Sequence, residues 1–154
     1  MNRLVPAVVA CLITLPSLAT AKPSVNEMQT CQGMLDFVQA RLAAAPANYP
    51  ADDVAKVRDG LKRYNTYIQN DIVTPGLTSY SGGNADQVAL LQQQVDAYKS
   101  AIASRLKARY KQNRLVTDHA IAVNECAKKA VPAGEDLEAL REAVVTMVKL
   151  ARLN

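Results

Sequence analysis

Apolar residues recur every three or four positions along most of this chain, from about residue 24 to residue 151. This spacing places their side chains on one face of an α-helix. Short stretches rich in proline or glycine interrupt the pattern at 46–50, 74–83 and 131–134. We therefore predict an all-α fold, an antiparallel bundle of four or five amphipathic helices joined by mostly short loops.

The first predicted helix spans about 24–45. Ser24 and Glu27 have the spacing of a capping box, in which each side chain accepts a hydrogen bond from the other residue's backbone N–H. The second helix begins near Ala51. The apolar stripe of the first helix consists of Met28, Cys31, Leu35, Val38 and Leu42.

A Thr-Pro-Gly sequence at 74–76 is expected to end the second helix, because proline lacks a backbone donor and clashes with the preceding turn. We predict a loop over 74–83 that carries Leu77 and Tyr80. Two interpretations of this loop stay open. Either its two large side chains insert into the cleft of a partner, or they pack over the end of the bundle.

The pattern over 84–131 fits either one long helix or two. A helix of 47 residues would span roughly 70 Å, about twice the length of the other predicted helices. We therefore favour a break near 113–117, with Thr117 or Asp118 as the cap of the second part. The last helix follows the Val-Pro-Ala-Gly sequence at 131–134.

The first 21 residues have the features of an export signal. Arg3 precedes a mostly apolar run over 4–15, and an Ala-Thr-Ala sequence at 19–21 presents small residues to signal peptidase. The apolar run is shorter than the roughly 20 residues of a stable membrane anchor. We predict a cleaved signal peptide over 1–21, and therefore a periplasmic or secreted protein.

A lipid-modified Cys11 is the alternative, but only about seven residues of n-region and h-region would precede the Val-Val-Ala-Cys sequence at 8–11. The remaining residues, 22–154, fit a single domain with one core. No segment among them is apolar enough to cross a membrane, so we predict that the cleaved protein is not transmembrane. The net charge of the full chain is +4, and an exported location argues against a nucleic-acid partner.

Two of the three cysteines, Cys31 and Cys126, follow the predicted signal. Because exported proteins meet an oxidising environment, we predict that these two form one long-range disulfide. The chain has no Cys-x-x-Cys sequence, so a structural bond is favoured over a redox-active pair.

Known catalytic and cofactor motifs are absent. The serines have no Gly-x-Ser-x-Gly context, the haem-attachment sequence Cys-x-x-Cys-His does not occur, and His119 is the single histidine. Non-covalent haem would need His119 together with Met28 or Met34, and nothing around them strengthens that assignment. We therefore predict a protein that is not an enzyme, with no catalytic residues, no metal ligands and no cofactor.

Between Asp96 and Asp118 the chain carries six cations and no acid: Lys99, Arg105, Lys107, Arg109, Lys111 and Arg114. On a continuous helix Lys107, Lys111 and Arg114 would share one face. Such a face is either solvated, with the side-chain stems covering apolar surface, or a docking surface for an acidic protein or an anionic envelope component such as lipid head groups.

We therefore predict an exported, non-enzymatic helical protein that binds another macromolecule, of the inhibitor or immunity type. The candidate partner-binding residues are Lys107, Lys111, Arg114, Leu77 and Tyr80. Two alternatives remain, a periplasmic stress or chaperone-like protein and a haem- or metal-binding bundle.

Overall fold

Residues 22–153 are described by this computed structural model, and the predicted signal peptide over 1–21 lies outside them. Within these residues six α-helices and one π-helical turn form the fold, and there is no strand. The elements in chain order are α1 (Val25–Ala43), α2 (Ala51–Tyr67), the π turn (Ile68–Val73), α3 (Thr74–Tyr80), α4 (Ala85–Arg109), α5 (Thr117–Lys129) and α6 (Gly134–Ala151).

The helices alternate in direction along the chain. Helices α2 and α6 are antiparallel, since Asp53 at the start of α2 pairs with Lys149 at 2.6 Å and Arg63 near its end pairs with Asp136 at 3.2 Å. Because α2, the π turn and α3 continue without a gap, the fold consists of five helical rods. The prediction of an all-α bundle of four or five helices is confirmed.

Helix α1 lies at the centre of this arrangement and contacts α2, α4 and α5. Its start is capped as predicted, with Glu27 N–H donating to Ser24 Oγ at 3.2 Å and Ser24 N–H donating to the Glu27 carboxylate at 3.1 Å. All five residues of its predicted apolar stripe are buried. The periodicity therefore located the core face of α1 correctly.

Close packing of α1 on α4 depends on Gly33. A Cβ at this position would lie 2.8 Å from Ile102 Cβ and 2.9 Å from the Lys99 carbonyl oxygen. Gly60 has the same role between α2 and α6, where a Cβ would collide with the Ala139 carbonyl oxygen. Since any larger side chain would push the helices apart, these two glycines set the spacing of both helix pairs.

The predicted loop over 74–83 is wrong for most of its length, because 74–80 is helical. The π turn explains the difference. Thr74 N–H donates to the Gln69 carbonyl five residues earlier, instead of four as in an α-helix. The pattern of backbone hydrogen bonds has therefore already changed before Pro75, which supplies no donor. Pro75 then lies in the first turn of α3, which tolerates proline.

The π turn also moves the apolar stripe by one residue. The buried positions run through Leu61, Tyr64 and Ile68 at helical spacing, then continue five residues later at Val73 and at Leu77. Leu77 is only 6% exposed and belongs to the core. Leu77 therefore packs against the bundle, as in the second of the two interpretations, and is not free to insert into a partner, whereas Tyr80 is 83% exposed.

The segment 84–131 forms two helices, as favoured from its length. Helix α4 ends at Arg109 and α5 begins at Thr117, so the break covers 110–116. Helix α4 is peripheral, because Val95 is its one buried residue. No helix within 22–153 is long and apolar enough to cross a membrane.

A disulfide joins Cys31 on α1 to Cys126 on α5, with a Cα–Cα distance of 5.7 Å and a sequence separation of 95 residues. Both cysteines lie in the core. The bond fixes α5 beside α1 at the end where Glu27 and Lys129 also pair, at 3.6 Å.

We expect the double variant Cys31→Ala/Cys126→Ala to lose up to about 4 kcal/mol of unfolding free energy, because the bond closes a long loop in the unfolded chain. Urea unfolding of the oxidised protein and the variant measures this difference. Alkylation of the denatured, unreduced protein should leave both cysteines unmodified. Equal unfolding midpoints for the two proteins, or alkylated cysteines, would contradict the expectation.

Candidate functional site at the basic end of the bundle

Five cations lie where α4 ends and the connection to α5 begins, and we call this surface the basic end. Three of them stand on the last turns of α4, and two follow in the connecting segment 110–116. All five side chains are exposed. They are Arg105, Lys107, Arg109, Lys111 and Arg114.

None of the five cations of the basic end lies within ion-pair distance of a carboxylate in residues 22–153. On the rest of the described surface most cations are paired, as in Lys56 with Glu142 and Lys128 with Glu125. Positive charge is therefore concentrated at one end of the molecule. Such a patch raises the local concentration of anions and accelerates the association of an oppositely charged partner.

The connecting segment lines an open cavity of about 380 Å³. Helix α5 begins at this cavity, so the positive end of its dipole adds to the charge of the side chains. The residues that line it are Arg109, Tyr110, Lys111, Gln112, Arg114 and Val116.

Tyr49 holds the connecting segment in place. Its hydroxyl, which comes from the connection between α1 and α2, accepts a hydrogen bond from Leu115 N–H at 2.9 Å. The Leu115 side chain is buried in the core. Arg114, which immediately precedes Leu115 in the chain, therefore stands on an anchored backbone rather than on a free loop.

Arg41, near the end of α1, is a sixth cation beneath this surface. It is only 6% exposed, and its Nε and Nη1 atoms have no hydrogen-bond partner among the described residues. Its guanidinium lies 4.5 Å from the centre of the Phe37 ring and 6.0 Å from that of Tyr110. These aromatic faces partly replace the missing counter-charge, while burial lowers the pKa of Arg41.

His119 completes the buried part of this end. Its Nδ1 atom accepts a hydrogen bond from Val116 N–H at 3.2 Å, which caps the start of α5. Its ring meets the rings of Phe37 and Tyr110 edge-on, with centres 5.2 Å and 4.7 Å away. Burial and the neighbouring Arg41 charge lower the pKa of His119 to about 4, so it is neutral near pH 7.

The structure separates the predicted partner-binding residues into two groups. Because α4 ends at Arg109, the helical face expected to hold Lys107, Lys111 and Arg114 does not exist, although all three belong to the basic end. Tyr80 precedes the start of α4, at the opposite end of a helix roughly 37 Å long. Its part in partner binding stays a prediction.

Sequence reasoning missed Arg41 as part of this site. One signal was present, because Arg41 follows Phe37 by four residues and Val38 by three, which places it on the apolar face of α1. A charged residue on a core face next to an aromatic one suggests a cation–π contact. The sequence does not show that Tyr110 and His119 also lie beside Arg41, because these contacts join α1 to segments about seventy residues away.

The arrangement is suited to binding carboxylate or phosphate groups, because it offers two kinds of donor, guanidinium and ammonium, around one cavity. In residues 22–153 no group of three or more His, Cys, Asp or Glu side chains is placed to hold a metal ion. Comparison of the chain with protein families, with characterised proteins and with solved structures gave no match.

We expect the unfolding free energy to fall as the pH decreases from about 6.5 to about 4, because in this range the unfolded chain binds a proton at His119 and the folded protein does not. The slope contributed by this residue is at most about 1.4 kcal/mol per pH unit. Urea unfolding at several pH values measures it.

The control is His119→Gln, which retains an acceptor for Val116 N–H, as glutamine does in a capping box. The variant should lose the histidine contribution between pH 6.5 and pH 5, above the range where most carboxylates titrate. The same pH dependence in both proteins would contradict the burial of a neutral His119.

Proposed function

We propose that this protein is an exported, non-enzymatic binding protein that captures an acidic protein partner through the basic end, in the manner of an inhibitor or immunity protein. The observation that carries the proposal is the group of five exposed cations without ion-pair partners within 22–153, three of which line one cavity. An acidic partner would supply the missing carboxylates.

The shape of the basic end favours a protein over a layer of lipid head groups. Its cavity of about 380 Å³ is concave, and it is lined by Tyr110 and two arginines, Arg109 and Arg114. Tyrosine and arginine are the residue types that dominate protein–protein hot spots. A protruding acidic side chain of a partner can enter such a cavity and meet guanidinium groups on more than one side.

Rigidity supports the same proposal. The connecting segment is held by the hydrogen bond between Leu115 and Tyr49, and α5 is fixed to α1 by the disulfide. A binding surface that is ordered before association loses less conformational entropy on binding. The disulfide also suits the oxidising compartment to which the first 21 residues are predicted to direct the chain.

The charge-reversal variant Lys107→Glu/Lys111→Glu/Arg114→Glu should lose partner capture and keep its melting temperature, because these exposed side chains make no ion pairs within 22–153. Tagged protein is used to capture partners from the envelope and secreted fractions of the native cells. Binding by the unaltered protein should weaken steeply between 50 mM and 500 mM NaCl, since the attraction is screened.

The matched control is Arg58→Glu/Lys62→Glu/Arg152→Glu, which reverses three other exposed cations that have no ion-pair partner in the described residues. It should capture the partner as the unaltered protein does. Equal capture by both triple variants would overturn the proposal. Sedimentation with phosphatidylglycerol vesicles, lost in the basic-end variant and accompanied by no protein capture, would assign the surface to membranes instead.

Export has its own test. Mass spectrometry of the protein produced in its native cells should give a chain that begins at Lys22 and is 2 Da lighter than the reduced form, because one disulfide removes two hydrogens. A chain that retains residues 1–21, or a lipid on Cys11, would contradict the predicted processing.

A further inference from the structure

Helix α4 has a second regular face on the side turned away from α1. On the inward side Val95 is buried and Ile102 lies against Gly33. On the outward side seven residues recur at alternating intervals of three and four positions, and all seven are exposed. We call them the α4 seam: Gln87, Leu90, Gln94, Ala97, Ala101, Ser104 and Ala108.

The α4 seam carries no charge along its length of about six helical turns. The same stretch of helix does contain Asp96 and Lys99, but helical spacing places both on the side away from the seam, where they pair at 3.3 Å. The solvated face of a surface helix is normally polar and charged, whereas the centre of a protein interface is depleted of charged residues. The seam therefore has the composition of an interface.

The spacing of the α4 seam is that of the positions through which two helices pack in a coiled coil. Most of its residues are small, so a second helix can approach until the two axes are about 8 Å apart. Two larger side chains, Leu90 in the seam and Tyr98 beside it, are 59% and 43% exposed. A second helix would cover both and remove their apolar surface from water.

The charges that flank the seam fit a second copy of this chain. Asp86 lies at the start of α4 and Lys107 near its end, three heptad repeats later, so both flank the seam on the same side. Neither has an ion-pair partner within 22–153. If two α4 helices pack antiparallel, Asp86 of each copy lies opposite Lys107 of the other, and both pairs form at once.

The same register also matches the seam residues by size. With Asp86 opposite Lys107, Leu90 of one copy faces Ala101 of the other, and Gln94 faces Ala97. Each larger side chain therefore meets a small one, as close packing of two helices requires.

A parallel pair of α4 helices is disfavoured by charge. It would place Arg105, Lys107 and Arg109 beside the same three cations of the second copy, where like charges repel. The helix dipoles agree, because an antiparallel pair brings the positive end of each helix to the negative end of the other.

We infer that this protein forms a symmetric dimer of two identical chains through the α4 seam, with the two helices antiparallel. A standard interface has about 20–30 residues on each side. The seam and its flanks offer about half of that, so we expect a weak dimer with a dissociation constant on the order of 100 μM. Of the basic end it occupies Lys107, and it does not depend on the acidic partner proposed there.

Sedimentation equilibrium of the purified oxidised protein between 5 μM and 2 mM tests the dimer without any partner. The average mass should rise from that of one chain towards that of two. Ala101→Glu places a charge against Leu90 of the other copy and should weaken the dimer at least tenfold. The matched control is Ala55→Glu, at an exposed alanine within α2, which should associate as the unaltered protein does.

A charge exchange tests the antiparallel register. Asp86→Lys should weaken the dimer by about threefold or more, because it replaces two attractive pairs by repulsive ones. The double variant Asp86→Lys/Lys107→Glu should restore association, since both pairs form again with their signs exchanged. A double variant no stronger than Asp86→Lys would contradict the register.

The dimer itself is overturned if the mass stays that of one chain at 2 mM, or if Ala101→Glu and Ala55→Glu have the same effect. It is also overturned if the protein stays monomeric and binds phosphatidylglycerol vesicles in a manner that Ala101→Glu abolishes. That result would assign the seam to a membrane surface.

Discussion

The position of α1 is the constraint on which the other parts of this structure depend. The disulfide at Cys31 holds it against α5, and Gly33 lets α4 approach to van der Waals contact on another side. Through Gln32, Asp36 and Gln39 it also bonds to α2 and the π turn. Because α1 is held on several sides, its side chains are fixed relative to the basic end.

The basic end draws on a polar side chain that α1 places in the core. Arg41 lies beneath the basic end and retains polar atoms without a partner in the described part of the chain. Burying such atoms costs free energy unless something satisfies them.

The π turn shows where a pattern of single residues stops being informative. The spacing of apolar residues through Ile68 is that of an α-helix, and a Thr-Pro-Gly sequence normally ends one. The extra residue in the π turn shifts the stripe to Val73 and Leu77 and lets Pro75 occupy a first-turn position. The helix continues because burying the Leu77 side chain favours it, and local helix propensities do not include this free energy of burial.

The sequence by itself determined the helices of α1 and α6, the capping box at Ser24 and the cysteine pair, and it favoured a break between α4 and α5 without excluding one long helix. These features rest on local spacing, or on there being two cysteines after the predicted signal. Only the tertiary structure decided that Leu77 is buried and that Arg41 lies beside Tyr110 and His119. Those contacts join residues tens of positions apart, and they depend on helix spacing set by Gly33 and Gly60 rather than on any periodicity.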